Sequence, residues 1–257
     1  MLAQIIIDKY RYHLPEYRQV KQYADLGVKL STSTVNDWVH AVAARLEPLY
    51  EALRQDILHG DYLQVDEVPW RIADVAGKSR KGYAWQFLDS RPQSHGLYFL
   101  YMNGSRAGTV PRAELRNFRG AIQTDDYGVY DYFELQDNVT LLGCMAHVRR
   151  KFTDAQTSHP RLAAQAVKWI ELLYAIDNNP VERAQRPSVM GRKNYLFSKS
   201  DSGAVDNAIF YSLIESCDIA GVEPLKWLTH ALNTIKDDTP PEQIKQILPY
   251  YYKKSCE

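Results

Sequence analysis

The stretch "DYLQVDEVPWRIADV", residues 61–75, decides the fold of this chain. Leu63 and Val65 alternate with Gln64 and Asp66, and this period of two is typical of a β-strand with one face buried. The sequence before residue 61 has the three- and four-residue spacing of helices, whereas aromatic-rich runs with strong strand propensity follow it. The chain is therefore predicted to pass from a helical region into a sheet at about residue 61.

Four later segments are predicted to be strands of the same sheet, with "PRAELRNF" (residues 111–118) as a short helix between the second and the third. They are "GYAWQFLD" (82–89), "GLYFLYM" (96–102), "GAIQTDD" (120–126) and the start of "NVTLLGCMAHVRRKF" (138–152), which passes into a helix near Ala146. The sequence after this is mainly helical. This order predicts a mixed α/β fold, with a helical region 1–60, a core 61–200 and a C-terminal helical region 201–257.

The N-terminal region contains a helix, then Gly27, and then "STSTVNDWV" (residues 31–39). Ser and Thr before a periodic apolar run are typical of a helix N-terminus, and Pro48 is expected to kink or restart the long helix that follows. The arrangement resembles a helix-turn-helix, although an ordinary helical hairpin packed on the core has the same pattern.

Composition limits the classes of protein to which the chain belongs. Its 257 residues contain 31 Lys and Arg and 31 Asp and Glu, and this zero net charge counts mildly against a dedicated nucleic-acid binder. Three widely spaced cysteines indicate no disulfide framework, which fits a reducing compartment. The N-terminus resembles neither a signal peptide nor a membrane span, so a cytoplasmic protein without a membrane partner is expected.

Two predicted strands end in a carboxylate, Asp66 in the first and Asp125 in "GAIQTDD". If these strands are parallel neighbours, the two like charges meet at one edge of the sheet and require a cation between them. Hard carboxylate oxygens suit Mg²⁺ or Mn²⁺. The alternative is that each Asp only forms a turn by bonding its own backbone.

A third carboxylate, Glu182, lies in the polar segment "IDNNPVERAQRPSVMGRKNYLF", residues 176–197. Its helical spacing to Arg186 also fits a surface ion pair of little consequence. A cluster of cations close to this carboxylate instead favours metal-assisted chemistry on a phosphate backbone. Its members are Arg183, Arg186, Arg192 and Lys193.

The segment "CMAHVRRKF", residues 144–152, supplies further polar candidates. Cys144 and His147 have the spacing of half a zinc site, but no second pair matches them and zinc is rejected. His147 is either a group that orients a phosphate or a water, or a structural histidine. The cations that follow it are either phosphate contacts or a solvated helix face, and they are Arg149, Arg150 and Lys151.

Four of these motifs, in this order, make the chain resemble the insertion sequence 66 family of bacterial transposases. They are "VDEVPW", "QTDDYGVY", "CMAHVRRKF" and "DNNPVERAQRPSVMGRKNYLF", and weaker similarity extends over nearly the whole chain. The resemblance implies an RNase H-like fold, a DDE carboxylate triad with two divalent metal ions, and cleavage and joining of DNA strands. By motif, Asp66, Asp125 and Glu182 are the catalytic and metal-binding triad of a protein that acts as a homo-oligomer on double-stranded DNA.

The chain departs from the family pattern in two places. An upstream zinc-binding and coiled-coil region is missing, and most of a helical insertion seen in the family is missing near Ile176. The main interpretation is therefore a DDE transposase or a shortened derivative of one. One alternative is a catalytically inactive DNA-binding remnant, and another is a structural module that has no role on DNA.

Overall fold

A computed structural model describes residues 1–73, 78–91, 94–174, 198 and 200–256. Within them, the N-terminal helices are α1 (Leu2–Tyr10), α2 (Glu16–Asp25) and α3 (Thr32–Leu58). The central part contains β1 (Tyr62–Ala73), β2 (Ser79–Arg91), β3 (Ser94–Tyr101), α4 (Thr109–Glu114), β4 (Gly120–Thr124), β5 (Val139–Gly143), α5 (Met145–Asp154) and α6 (Pro160–Tyr174). The C-terminal helices are α7 (Asp201–Ala220), α8 (Pro224–Thr234), α9 (Pro241–Gln246) and α10 (Pro249–Cys256).

The five strands form one sheet in the order β3-β2-β1-β4-β5. β2 is antiparallel to both β1 and β3, whereas β4 is parallel to both β1 and β5. The predicted mixed α/β class is confirmed, and the sheet with its flanking helices is that of an RNase H-like core. β1 lies at the centre, where its first residues, Tyr62 to Gln64, pair with β4 in parallel and its remaining length pairs with β2.

Helix α7 protects the edge of the sheet at β3. The hydroxyl of Ser216 accepts a hydrogen bond from the amide of Leu97 and donates one to the carbonyl of the same residue, at 3.1 and 3.0 Å. The hydroxyl of Ser212 accepts a bond from the amide of Phe99 at 2.8 Å. These side chains satisfy backbone groups that an exposed edge strand would otherwise offer to another chain.

The N-terminal helices follow the predicted pattern except at Pro48. Ser31 caps α3 by accepting a hydrogen bond from the Thr34 amide at 3.0 Å, and Gly27 adopts a positive φ of 84° in the preceding turn. The restart expected at Pro48 is wrong, because α3 continues through it from Thr32 to Leu58, and the kink stays a prediction. Complete burial of Leu46 and Leu49 on either side provides packing energy that opposes the cost of a proline inside a helix.

The hydrophobic core joins all three parts of the chain. Ile6 of α1, Trp85 of β2 and Trp227 of α8 are all buried members of one cluster. The boundaries proposed at residues 60 and 200 therefore separate elements that share a core, and they stay a prediction. None of the helices in the described ranges combines the length and the continuous apolar character that a transmembrane helix needs.

Candidate active site at the carboxyl edge of the sheet

Asp66 and Asp125 lie next to each other at the point where β4 ends. The parallel register pairs Gln64 with Gln123, so two residues further on Asp66 is level with Asp125. The expectation that a strand ends at Asp66 is wrong, because β1 continues to Ala73 and pairs there with β2. The long antiparallel ladder keeps β1 extended beyond its parallel neighbour. A site shared by the two carboxylates stays a prediction, and the parallel register of β1 and β4 is compatible with it.

The negative charges of Asp66 and Asp125 raise the pKa values of two neighbouring groups, Glu67 and Tyr130. Burial is the main cause that raises the pKa of the Glu67 carboxyl, and the negative charges of Asp66 and Asp125 raise it further. Burial also raises the pKa of the Tyr130 hydroxyl, with Glu67, Asp66 and Asp125 adding to the effect. Both Asp charges therefore act on the same small region between β1 and the segment after β4.

Local hydrogen bonds orient the two Asp side chains. Oδ1 of Asp125 accepts a bond from the backbone amide of Tyr127 at 3.1 Å, and Oδ1 of Asp66 accepts one from the amide of Glu67 at 2.7 Å. The turn predicted as the alternative for Asp125 is therefore present. The turn is compatible with metal binding by Asp125, because its hydrogen bond uses only Oδ1 and restricts the orientation of the carboxylate.

Glu67 is the centre of a hydrogen-bond network that was not predicted from the sequence. Its Oε1 accepts a hydrogen bond from Nε of Arg106 at 2.8 Å and a second bond from Nη2 of the same residue. Its Oε2 accepts a bond from the hydroxyl of Tyr130 at 3.3 Å. The side chain is only 2% exposed, so these partners stabilise a carboxylate that would otherwise be costly to bury.

Aromatic rings hold the guanidinium of Arg106 from two elements. Its Cζ lies 4.0 Å from the ring centroid of Tyr127 and 5.0 Å from that of Tyr83. Tyr83 belongs to β2, and Tyr127 follows β4. Arg106 therefore connects β1, β2 and the turn that contains Asp125, through one planar group that bonds and stacks at the same time.

Cys144 and His147 lie where β5 passes into α5. The amide of Cys144 donates a bond to the carbonyl of Thr124 at 2.8 Å, which places Cys144 beside the end of β4. Burial raises the pKa of the Cys144 thiol, but hydrogen bonds involving His147 and Ala146 outweigh burial, and the net shift is downward. His147 is thus a hydrogen-bonding partner of Cys144 at the same edge as the two Asp residues.

The predicted cations of α5 form surface ion pairs within the chain. Lys151 pairs with Asp126, and Nη2 of Arg149 lies 3.3 Å from Oε1 of Glu171. Arg150 is exposed on the same helix. Exposed pairs of this kind contribute little to stability. The remaining predicted site residues lie outside the described residues, namely Glu182, Arg183, Arg186, Arg192 and Lys193.

Two protein-family models match the sequence of this chain. A family model described as Transposase IS66 family matches residues 1–176 and 174–206, and a second one, IS66 C-terminal element, matches residues 212–250. Together the matches cover nearly all of the chain.

This chain belongs to the IS66 family of transposases. Three relatives from Sinorhizobium fredii (strain NBRC 101917 / NGR234) align with it, all of them named as uncharacterized proteins. The protein y4qI is 26% identical over 98% of this chain and 62% of its own length, and y4hP is 24% identical over 99% and 62%. The protein y4jD is 25% identical over 98% of this chain and 66% of its own length. The IS66 chain thus spans about three fifths of the first two relatives.

A further difference in length is internal. The alignment with y4qI extends over 336 positions, although the IS66 chain has only 257 residues. The match to the family model breaks at residues 174–176, where sequence analysis places the shortened insertion. The described chain stops at Tyr174, the last residue of α6, and Ser198 then forms a parallel bridge with Ile72 of β1. The shortened insertion stays a prediction.

The donor set at the edge is compatible with a divalent metal ion. Within residues 1–73, 78–91, 94–174, 198 and 200–256, no group of three or more His, Cys, Asp or Glu side chains is arranged to hold one. Two carboxylates are nevertheless enough for Mg²⁺, which usually keeps several waters and shares its remaining ligands with substrate phosphates. Asp66 and Asp125 fit this role. Glu67 does not, because both of its oxygens are bonded to Arg106 and Tyr130.

Proposed function

We propose that this chain catalyses metal-dependent cleavage and joining of DNA strands as the core of a DDE-type transposase. The observation that carries the proposal is the parallel register of β1 and β4, which ends at Gln64 and Gln123 and places Asp66 and Asp125 each two residues further on. Membership of the IS66 transposase family supports this reaction class. Two adjacent carboxylates with no other purpose would only repel each other, so their arrangement favours a bound cation.

The residues of the IS66 chain have distinct roles in this proposal. Asp66 and Asp125 bind Mg²⁺ or Mn²⁺, and Glu182 completes the metal site. When bound, two such ions activate the attacking water or 3′-hydroxyl and stabilise the leaving oxygen. The hydrogen bonds from the Tyr127 and Glu67 amides restrict the orientation of the two Asp side chains.

The length of the chain allows Glu182 to reach this site. Ser198 is bridged to Ile72, six residues along β1 from Asp66, which corresponds to about 20 Å at a rise of about 3.3 Å per residue. Glu182 precedes Ser198 by sixteen residues, which span up to about 50 Å when extended. It also follows Tyr174 by only eight residues, or at most about 29 Å. The connection to Ser198 is therefore long enough to bring Glu182 to Asp66.

Double-stranded DNA at the ends of a mobile element is the proposed substrate. Cations on α5 lie beside the Asp edge, because Lys151 contacts Asp126, the residue after Asp125. Phosphate contacts position a duplex without reading its sequence. The proposed contacts are Arg149, Arg150, Lys151, Arg183, Arg186, Arg192 and Lys193, with His147 as a supporting group. Since an element has two ends, we propose a homo-oligomer on DNA.

A second candidate function is an inactive DNA-binding remnant of a transposase. It is favoured by the break in the family match at residues 174–176 and by the 62% coverage of the relatives. In that case Asp66 and Asp125 persist, but the segment containing Glu182 does not complete the site. The remnant would bind DNA without any metal-dependent cleavage.

The test compares Asp125→Asn with Asp126→Asn in a nicking assay on a plasmid that carries the DNA flanking the coding sequence. Asp125→Asn should abolish Mg²⁺-dependent nicking, because the amide has lost the charge that binds the ion. It should change the free energy of unfolding by less than about 1 kcal/mol, since the amide oxygen still accepts the Tyr127 bond. Asp126→Asn, which removes only the exposed pair with Lys151, should keep the activity.

The two functions predict different outcomes of this assay. Equal nicking by the Asp125→Asn variant and the unaltered chain would contradict the catalytic assignment. Absence of nicking from the unaltered chain, together with retained DNA binding, would instead favour the remnant.

A further inference from the structure

The backbone alone does not hold Asp125 beside Asp66. The hydrogen-bonded pairing of β1 with β4 ends at Gln64 and Gln123, two residues before the Asp pair. Beyond this point β1 continues with β2 as its partner, while the chain after β4 turns away at residues 125–127. Like charges would push the two strand ends apart at this gap. Other contacts must therefore oppose their separation.

Side chains on the face of β1 that contains Glu67 connect this strand to the segment after Asp125. Arg106 bonds to Glu67 and stacks on Tyr127, whose amide in turn donates to Asp125. Tyr130 donates its hydroxyl to the other oxygen of Glu67 and is only 1% exposed. Both connections join β1 to the segment that follows Asp125.

From these contacts we propose that Arg106 is a positioning residue, which keeps the Asp125 turn at the distance from Asp66 that a shared metal ion requires. The inference rests on the proposed function, since it concerns the same pair of carboxylates. Arg106 acts through Glu67, to which it donates two hydrogen bonds, and through Tyr127, over whose ring its guanidinium lies. It resembles the outer-shell groups that orient the ligands of metal sites in general.

The chemistry of the guanidinium suits this role better than an ammonium would. Its Nε and Nη2 bond to one carboxylate oxygen, while its flat face lies 4.0 Å from the Tyr127 centroid. Lysine has a compact charge without a planar face, so it can pair with Glu67 but cannot stack in the same way. The Arg106→Lys variant therefore retains the charge and loses the geometry.

Charge gives Arg106 a second effect on the same turn. Glu67 is buried beside Asp66 in the sequence, and without Arg106 it would place an uncompensated negative charge close to the Asp pair. Arg106 offsets that charge on the side of β1 away from the Asp pair. The metal ion then has to compensate only the two carboxylates that bind it.

The test measures Mn²⁺ binding in the absence of DNA, by the electron paramagnetic resonance signal of free Mn²⁺. Arg106→Lys in the full chain should weaken Mn²⁺ binding about 10- to 100-fold, as loss of an outer-shell partner typically does. In the nicking assay the same variant should need a higher Mg²⁺ concentration for half-maximal rate. Its rate at saturating Mg²⁺ should recover towards that of the unaltered chain.

A matched control is available in Arg112, whose Cζ lies 4.6 Å from the Tyr132 centroid in another cation–π pair. Arg112→Lys removes the same kind of stacking from a pair that has no bond to Glu67, and it should leave Mn²⁺ binding unchanged. Tyr127→Leu provides a second variant, because it removes the stacking but keeps the bonds between Arg106 and Glu67. It should weaken Mn²⁺ binding in the same direction, and circular dichroism checks that each variant is folded.

The outcomes separate this inference from the proposed function. Mn²⁺ binding that depends on Asp125 but is unchanged in folded Arg106→Lys and Tyr127→Leu would overturn the positioning role alone. An unaltered chain that binds Mn²⁺ no better than its Asp125→Asn variant would overturn the proposed function, and the inference with it. If Arg106→Lys does not fold, unchanged binding in Tyr127→Leu is sufficient to overturn the role.

Discussion

The antiparallel and the parallel halves of the sheet are built very differently. β1, β2 and β3 have 12, 13 and 8 residues, and Trp85, Phe87 and Phe99 in them are fully buried. β4 and β5 have 5 residues each, and none of the residues of β5 is buried. Both Asp residues lie where the long half meets the short one.

The two halves therefore contribute differently, one to stability and the other to the candidate site. The antiparallel half buries large aromatic side chains against the helices and supplies most of the sheet's own contribution to the hydrophobic core. The parallel half buries little, and two like charges lie at its end. The antiparallel half therefore stabilises the fold, whereas the like charges at the end of the parallel half oppose folding. Substitutions in the two halves should differ accordingly.

The largest effect is expected from truncation in the antiparallel half. Phe87 is fully buried in β2 and stacks on Tyr98 with ring centroids 4.7 Å apart. Phe87→Ala should lower the free energy of unfolding by about 3–5 kcal/mol, because it removes apolar contacts and leaves a cavity. Urea denaturation followed by circular dichroism measures the change.

The matched change in the parallel half is Leu142→Ala in β5, where the side chain is 39% exposed. It should change the free energy of unfolding by only about 0.5 kcal/mol. Equal losses in Leu142→Ala and Phe87→Ala would contradict the division of the sheet into a stabilising half and a site-bearing half.

A smaller effect concerns a carboxyl buried in the helix that covers β3. Burial, together with the negative charge of Asp218, raises the pKa of Glu215 from its ordinary value of 4.5 to about 8. In the unfolded chain this group releases its proton near its ordinary value, so between these pH values the folded chain binds more protons. Stability should therefore fall as the pH rises from about 4.5 through about 8.

The variant Glu215→Gln removes this penalty because its amide is neutral at every pH. At a pH of about 8.5 it should be more stable than the unaltered chain by on the order of 2–4 kcal/mol, and at a pH of about 5 the two should be similar. Urea denaturation at both pH values measures the difference. Glu171→Gln, at an exposed position on α6, is the control and should show no such dependence. A Glu215→Gln variant less stable than the unaltered chain at both values would refute the prediction.

The smallest effect is expected on DNA affinity at the parallel edge. The double variant Arg149→Gln with Arg150→Gln should weaken binding to all duplexes alike, because both residues are proposed to contact phosphates. The slope of log affinity against log salt should become shallower by about 0.9 for each lost contact. Fluorescence anisotropy between about 50 and 200 mM salt measures this slope. Lys226→Gln with Lys236→Gln, at exposed positions remote in sequence, is the control, and equal slopes in both variants would contradict the assignment.

Sequence patterns were sufficient for the antiparallel half and for the order of elements. Alternation around Leu63 and aromatic runs at Trp85 and Phe99 identify strands, since a buried sheet face imposes that period. The start of α5 at Met145 lies one residue from its predicted position. Pro48 was misjudged because a local propensity cannot show that tertiary packing keeps a helix intact around it.

Only some residues of the candidate site could be predicted from the sequence. Asp66 and Asp125 were found because each follows an apolar run, but the continuation of β1 to Ala73 depends on pairing with β2. The network of Glu67 was missed. Alternation places Glu67 on the apolar face opposite Asp66, which signals a buried partner, but the sequence does not reveal that Arg106, thirty-nine residues away, supplies it.

The bridge between Ser198 and Ile72 has a consequence for how this family varies in length. The chain between Tyr174 and Ser198 starts from one helix end and returns to one strand position, both of which are fixed by the rest of the fold. Closing a flexible connection costs only about 0.6 kcal/mol more for each doubling of its length. Whole subdomains can therefore be gained or lost between these two anchors at almost constant stability. Because the bridge fixes where the chain returns to β1, a change of length before Ser198 need not alter the pairing of the sheet.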